Sequence, residues 1–519
     1  MRRQGASTMV VAVLFIVGLI IGAGAVYGLV SSSTTTTTQT TTSTSTTTVG
    51  GGTTVTTTVG GGTTVTTTVG GGTTVTTTVG GGTTVTTTVQ GNACVTCLGG
   101  INNTMLLGAA EAAGNLSGTF TIGDLQDLSD GLSGQGQDDQ AVSNFAISDI
   151  NAWAQSMCSQ LNELCHVTFQ QNLQDYKEDN TLTSTIMNSY YTAGIHVVVG
   201  PLNSGTAGAM LPFANSHQIV MISPSSTNPA IALAGDYLFR TPPSDNFQGS
   251  ADATEFKQSG VQDVVILYRN DGYGAGLANS TAVNFEAIGG HVEAQIPYDT
   301  TTSNFVPVLG QVNDAYNAGV GKYGASHVAL YFVMFDEFGL MATQAAQNYA
   351  NLLTTPLPWF GVDGEGNEAP IVNSTYSSTT VETRLVASYP GFTSSPLTQS
   401  ICARQLAARS TLCTGYTLGT YDDLWLSALA LLYCAPAAHY TTTQNGACIQ
   451  QVLPSIAAGY MGATGVTLLN SAGDRLYASY QFFCIVPGSA SGSAKWIVCG
   501  TWDQVSNTIV WSVKPQGIP

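Results

Sequence analysis

Charge is what this sequence has least of. Only 8% of its 519 residues are Asp, Glu, Lys or Arg, and 13 basic residues stand against 31 acidic ones, for a formal net charge of −18. Five lysines scattered over the whole length cannot assemble the clustered positive surface that a phosphate backbone requires, so nucleic acid is excluded as a partner. Histidine is scarce too: His166, His196, His217, His291, His327 and His439 stand apart, with no pair at metal-ligand spacing. There is no G-x-S-x-G, no H-E-x-x-H and no G-x-x-x-x-G-K-[ST], and the glycines of DGYGAGL lack the G-x-G-x-x-G spacing of a dinucleotide site. An enzyme is therefore not expected, and neither a cofactor nor a metal is implied.

Ser, Thr, Asn and Gln take the place of the missing charges, which leaves surface solubility less dependent on carboxylate ionisation. An acidic habitat and a heavily hydroxylated, glycosylated exterior both fit that composition. N-x-S/T sequons occur at Asn102, Asn115, Asn279 and Asn373.

Residues 9–30, MVVAVLFIVGLIIGAGAVYGLV, are uncharged and mostly apolar, long enough at about 1.5 Å per residue to cross a hydrocarbon core of about 30 Å. Arg2 and Arg3 precede the run and no basic residue follows until Lys177, so the positive-inside rule leaves the N-terminus cytoplasmic and exports the rest. A cleaved secretory signal is the rival, but its apolar region is normally only about 7–15 residues. The start RRQGAST also resembles the short basic leader of pilin-like precursors, and the lack of a Cys after the run excludes a lipoprotein anchor. Residues 1–30 thus read as a membrane anchor or signal-anchor.

From residue 31 to 90 the chain is almost wholly Thr, Ser, Gly and Val, with four copies of VGGGTTVTTT beginning at Val49, Val59, Val69 and Val79. Without large apolar residues to offset ordering entropy, this stalk is expected to stay disordered. Its dense Thr invites O-glycosylation, and an unmodified flexible spacer is the plainer alternative.

The ten cysteines fall as five neighbouring pairs: Cys94/Cys97, Cys158/Cys165, Cys402/Cys413, Cys434/Cys448 and Cys484/Cys499. In an exported domain such clustering favours short-range disulfides, although spacing alone does not prove connectivity. The alternation in QFFCIV and KWIVCG suggests a β-hairpin with Cys484 and Cys499 facing across it. CVTC at 94–97 has no second ligand pair nearby for zinc and no strand before it for a thioredoxin-type site, so a small structural bridge is the better reading.

The remaining residues, 91–519, suit two lobes of about 200 residues each. Apolar residues Val142, Phe145, Ile150, Trp153, Met157 and Leu161 recur every three to five positions and predict an inward helical stripe. Short β-runs, IHVVVG, QIVMIS, VVILY, HVALYFVMF and LPWFGV, alternate with helical stretches and imply βαβ units with parallel sheets. In HVVVGPLNSGTAGAMLPFANSHQIVMISPSSTNPAI (196–231), two strands each run into a small, hydroxyl-rich turn. In an open α/β sheet that is where backbone N–H groups and hydroxyls converge on a ligand.

This stretch resembles the type I periplasmic-binding-protein family, the solute receptors for branched-chain amino acids and amides. The likeness extends to TIGDLQDLSDGLSGQGQDDQAVSNFAISDIN (121–151), LFRTPPSDNFQG (238–249), VVILYRNDGYGAGLANSTAVNFEAIGGHV (264–292), PWFGVDGEG (358–366) and GATGVTLLNSAGDRLYASY (462–480), covering roughly residues 118–515. It implies an α/β, two-lobed type I periplasmic-binding fold with flanking helices and a hinge. Lobe 1 is expected at about 118–241 and 388–475, lobe 2 at about 242–387 and 476–519. The chain is expected to cross between them near 240–244, 365–388 and 474–480.

By the same resemblance, Ser204, Ser225 and Thr227 correspond to the hydroxyl and backbone groups that hold a ligand carboxylate or amide. Tyr273 corresponds to an aromatic wall and Asp363 to the acid that receives an α-ammonium. Ordinary turn or helix-cap roles for Ser204 and Thr227, and a turn role for Asp363 before Gly364, are the alternatives. Tyr416, Met334 and Phe335 are weaker candidates for apolar walls. Gln135, where such receptors often carry an aromatic, makes the first-lobe side more polar and leaves small polar amino acids, amides and short peptides open. The implied protein is a single-pass, membrane-anchored, extracellular binding protein serving an ABC permease; a cell-surface structural or sensory protein on the same fold is the alternative.

Overall fold

The computed structural model describes short strands between residues 54 and 86, the helix at 103–113, and residues 116–519 apart from Ala437. The apolar run 9–30, Cys94, Cys97 and the sequons at Asn102 and Asn115 lie outside the described residues. Among the described residues, no helix is long and apolar enough to cross a membrane.

The repeat departs from the expected disorder. Strands β1 (Thr54–Thr58), β2 (Thr63–Thr68), β3 (Thr74–Val79) and β4 (Thr83–Thr86) form a sheet in the order β1-β3-β2-β4. The physical reason is the β-branching of Thr and Val, which favours extended backbone, with a Gly triplet ahead of each strand in the sequence.

After α1 (Asn103–Ala113), the first lobe alternates β5 (Ser117–Gln126), α2 (Ser133–Leu161), β6 (His166–Asp175), α3 (Asn180–Thr192), β7 (Val197–Val199), α4 (Ser204–His217), β8 (Val220–Ser223) and β9 (Leu238–Arg240). The five strands are parallel, in the order β6-β5-β7-β8-β9. β7 and β8 are buried along their whole length, as continuous apolar runs in a covered parallel sheet should be.

The second lobe follows with α5 (Asp245–Gln258), β10 (Asp263–Arg269), α6 (Gly272–Ala287), β11 (His291–Tyr298), α7 (Val306–Tyr323), β12 (Val328–Val333), α8 (Phe338–Asn348), β13 (Phe360–Gly361), α9 (Ser377–Thr383) and β14 (Val386–Pro390). The chain then returns to the first lobe for α10 (Pro396–Arg409), α11 (Gly415–Cys434), α12 (Gly446–Gly459) and a small hairpin, β15 (Met461–Gly462) with β16 (Gly465–Val466). It ends with β17 (Ser479–Pro487), β18 (Ala494–Asp503) and β19 (Thr508–Trp511), which extend the second sheet antiparallel in the order β11-β10-β12-β13-β14-β17-β18-β19.

The second crossing therefore follows Pro390 rather than falling within 365–388, because β14 is held in the lobe 2 sheet by β13 on one side and β17 on the other. Helix α11 is apolar on nearly every face and is accordingly buried, with Trp425 edge-on to Trp153 of α2 at 5.8 Å. Of the stripe expected on α2, Val142, Ile150, Trp153 and Met157 are buried, whereas Leu161 is exposed at the helix end and Phe145 lies under the Arg404 guanidinium at 4.3 Å.

Among the described residues, four disulfides join nearest neighbours: Cys158–Cys165, Cys402–Cys413, Cys434–Cys448 and Cys484–Cys499, the last linking β17 to β18. Replacing Cys484 and Cys499 together with alanine should lower unfolding free energy in denaturant titration by about 3 kcal/mol, the chain-entropy value for a loop of this length.

Scarce charge does not mean exposed charge. Asp124 and Asp252 are fully buried and pushed up to about 6 and about 7 by desolvation. Glu255 is fully buried with neither carboxyl oxygen hydrogen-bonded to another group. A carboxyl whose folded pKa is raised stabilises the fold fully below its unfolded value, near 4, and loses that contribution as pH rises through the folded value. The melting temperature is therefore expected to fall between pH 5 and pH 8. A melting temperature that climbs over that interval in differential scanning calorimetry would contradict this account.

Candidate functional site

The turn after β7 and the turn after β8 are knitted together. Asn203 caps α4 by accepting the Thr206 N–H at 2.7 Å, which places Ser204 at the first helical position. Ser204 Oγ accepts from the Thr227 and Asn228 amides at 3.1 and 3.2 Å. With both acceptor positions occupied, its own proton is free to be donated into the cleft. Ser225 Oγ donates to the Leu202 carbonyl at 2.9 Å and accepts from Gln135 Nε2 at 3.0 Å, and the same Gln135 amide bonds Asp139 at 3.0 Å.

The second lobe brings an acid to the same place. Asp363 follows β13 and is buried; its Oδ1 accepts from Gln248 Nε2 at 2.6 Å and from the Tyr273 hydroxyl at 2.8 Å, and its Oδ2 from the Tyr416 hydroxyl at 2.5 Å. Desolvation raises the Asp363 pKa, and the donors Tyr416, Tyr273 and Gln248 pull it back. The Tyr273 hydroxyl also accepts the Gly364 amide at 3.2 Å, while its ring stacks on Phe335 at 5.2 Å. Phe335 in turn lies under the Arg269 guanidinium at 3.4 Å.

Between the lobes, these groups surround a narrow, nearly closed cleft with a free volume of about 10 Å³. Gln135, Ser204, Ser225, Tyr273, Asp363 and Tyr416 all line it, together with Leu132, Leu202, Asn203, Phe335 and Gly364. Thr227 does not: it is wholly buried behind Ser204, beside Asp245. Met334 is also a core residue, its amide donating to the buried Glu365 carboxylate at 2.7 Å.

Tyr416 departs from the apolar role expected of it. It reaches Asp363 because the capped start of α11 points its hydroxyl across the seam between the lobes. Tyr273 likewise contributes a hydroxyl as well as a wall. Gln248 was missed; the only signal was its place in the SDNFQG crossover segment, and nothing local marks it as the partner of an acid 115 residues away.

The scattered histidines yield one cluster among the described residues, Asp263, His291 and Glu293 on β10 and β11. Its members are already partnered: His291 bonds Asp263 at 2.7 Å, and Lys322 pairs with Glu293 at 2.7 Å.

Residues 139–486 match the family described as receptor family ligand binding region. The chain belongs to that family. Among its relatives is an uncharacterized protein of Methanocaldococcus jannaschii, 26% identical over 414 residues that cover 77% of this chain and 93% of that protein. The chemotactic signal transduction system substrate-binding protein BasB of Halobacterium salinarum is 30% identical over 154 residues, 27% of this chain and 36% of its own length. In fold, this receptor-family chain is similar to a leucine binding protein from Thermotoga maritima, with a TM-score of 0.57 and 18% identity over 73% of this chain and 98% of that one. It is also similar to a branched-chain amino acid transporter substrate binding protein from Streptococcus pneumoniae in complex with isoleucine, with a TM-score of 0.55 and 19% identity over 73% of this chain and all of that one. The two-lobed type I periplasmic-binding fold is thus that of this chain.

Tyr416→Phe should leave Asp363 Oδ2 without its donor in a buried setting. The expected loss is about 1–3 kcal/mol of unfolding free energy, measured by denaturant titration.

Proposed function

We propose that this protein is an extracytoplasmic solute-binding receptor, tethered to the membrane by its N-terminal apolar segment and stalk, that captures a small polar solute for an ABC importer. The solute is an amino acid, an amide or a short peptide. The observation that carries the reading is the composition of the cleft: one buried carboxylate, Asp363, on the second lobe, opposed by the free hydroxyl proton of Ser204 on the first, with no basic side chain among the lining residues. Asp363 retains acceptor capacity on Oδ2 for an ammonium group, and Ser204 donates to a carboxylate or amide oxygen. A ligand carrying only negative charge meets no cation there.

No step of covalent chemistry is assigned to the cleft. The resemblance to BasB, whose name describes a chemotactic system, supports a second reading in which the captured solute is reported to a signalling partner rather than delivered to a permease. The capture step is common to both.

A thermal-shift screen of the full-length chain against amino acids, amides, short peptides and sugars tests the proposal. A ligand of the native state at 100 times its dissociation constant adds about 2.7 kcal/mol. Hits are expected among zwitterions. Asp363→Asn should then weaken amino-acid binding by about 1.5–3 kcal/mol and a neutral amide much less, measured by calorimetry. Hits confined to sugars would overturn the assignment.

A further inference from the structure

Helix α2 runs for 29 residues, yet Leu132 at its N-cap supplies no side-chain hydrogen bond. Its first turn, which lacks a side-chain cap of its own, is met instead by the other lobe. Glu368 Oε2 accepts the Gln135 amide at 3.0 Å, Ser133 Oγ donates to Asp336 Oδ2 at 3.1 Å, and the Asp336 amide donates to the Gly131 carbonyl at 3.1 Å. Gly134 makes this approach possible, since a Cβ there would collide with the Glu368 carboxylate. Both acids sit on loops of the second lobe, Asp336 after β12 and Glu368 after β13. The second loop is held from its own side by Trp496 Nε1 donating to the Glu368 carbonyl at 2.9 Å. Two carboxylates from one lobe thus do for a helix of the other what an N-cap residue and first-turn acids ordinarily do from within the chain.

We propose that Asp336 and Glu368 form the closure latch of the cleft: they cap α2 across the seam, fix the cleft residue Gln135 in place, and hold the lobes together most firmly when the pair carries a proton. The inference rests on reading the cleft as one that opens and closes around a ligand. Opening strips α2 of both caps and returns both carboxylates to water.

The groups facing the latch explain its dependence on protons. Glu368 faces Asp138 and Asp139 of α2, Tyr389 of β14 and Asp336 itself; Asp336 faces Glu337 beside it and Asp127 of the loop before α2. The cations beside these neighbouring acids are committed to them, Arg409 to Asp138 at 2.8 Å and Arg269 to Glu337 at 3.4 Å as well as to Glu178 and Asp271. Burial and the surrounding acids therefore push both carboxyls well above the ordinary range, against the pull of the Gln135 amide and the Ser133 hydroxyl. Returned to water in the open form, they fall back toward the ordinary carboxylate range. Closure accordingly takes up a proton. Its contribution is fully present below the open-state pKa and is lost as pH rises through the closed-state one, with a change of up to about tenfold per pH unit for one proton.

Hydrogen exchange read by mass spectrometry on the ligand-free full-length protein tests this, following the peptide 128–137, which contains the Gln135 amide, after correction for intrinsic exchange. Protection is expected to decline from pH 5 to pH 7 by up to about tenfold per unit. Glu368→Gln should flatten the profile while keeping protection, because its amide oxygen still accepts from Gln135; Glu368→Ala should lose protection at every pH. The strand 264–269 serves as the folding control. If a variant loses protection there as well, the wild-type profile decides alone. A wild-type profile without pH dependence, or a folded Glu368→Ala protein protected like wild type, would overturn the latch. Because no ligand is added, a failed ligand screen leaves this test intact, and a flat profile leaves the receptor reading intact.

Discussion

The arrangement of the cleft depends on one buried ion pair. Arg240, at the end of β9, meets Asp474 at 2.6 Å, and both side chains are almost completely removed from solvent. The first residue belongs to the chain's departure from the first lobe and the second to its last return toward the other, so the pair clamps two of the three crossings together. The same guanidinium donates to the Asn228 carbonyl at 2.7 Å and the Ser226 carbonyl at 3.3 Å. The turn that carries Ser225 and ties down Ser204 is thereby built onto the hinge. In a buried pair of this kind, removing one partner leaves an uncompensated charge and typically costs about 3–5 kcal/mol. Arg475 adds a second tie, from the adjoining residue to the Thr241 carbonyl at 2.8 Å.

Around this clamp the interior is rich in acids and poor in bases. The buried carboxyls are handled by other means: Asp363 by three side-chain donors, Glu365 by the Met334 and Val362 amides at 2.7 and 2.9 Å, and Asp422 by the Ala463 and Thr464 amides and the Thr464 hydroxyl. Neutral donors can satisfy a buried carboxyl without burying a second charge. The low content of Lys and Arg, met first as an oddity of composition, is thus part of how the interior and the cleft are built. Where donors run out, as at Glu255, the neutral acid is the form that burial favours.

Much of the fold was legible because it is written in short-range pattern. The apolar runs IHVVVG and QIVMIS became β7 and β8, the hydroxyl-rich turns behind them became one wall of the cleft, and all four described disulfides join the nearest cysteines. The repeat was misjudged for a related reason: lack of large apolar residues was weighed above the β-preference of Thr and Val, and the described strands follow the latter. Within the cleft, Ser204, Ser225, Tyr273 and Asp363 could be placed through the family resemblance because each lies a few residues past a strand, in the turn or in the first turn of the helix that follows. Tyr416 was placed with the wrong role, since nothing in the alternation of α11 says that its hydroxyl ends on a carboxylate.

Sequence by itself determined the βαβ alternation, the local disulfides and the strand-end turns, because each depends on residues a few positions apart whose geometry is fixed by backbone periodicity and loop length. Tertiary structure alone decided which acids are paired and which are merely buried. Gln248 meets Asp363 across 115 residues, Gln135 meets Glu368 across 233, and Arg240 meets Asp474 across 234. Those contacts exist only after three crossings have brought two sheets to a common seam. The strength and protonation of each carboxyl there are set by the water excluded when the seam closes, a quantity that no local run of residues contains.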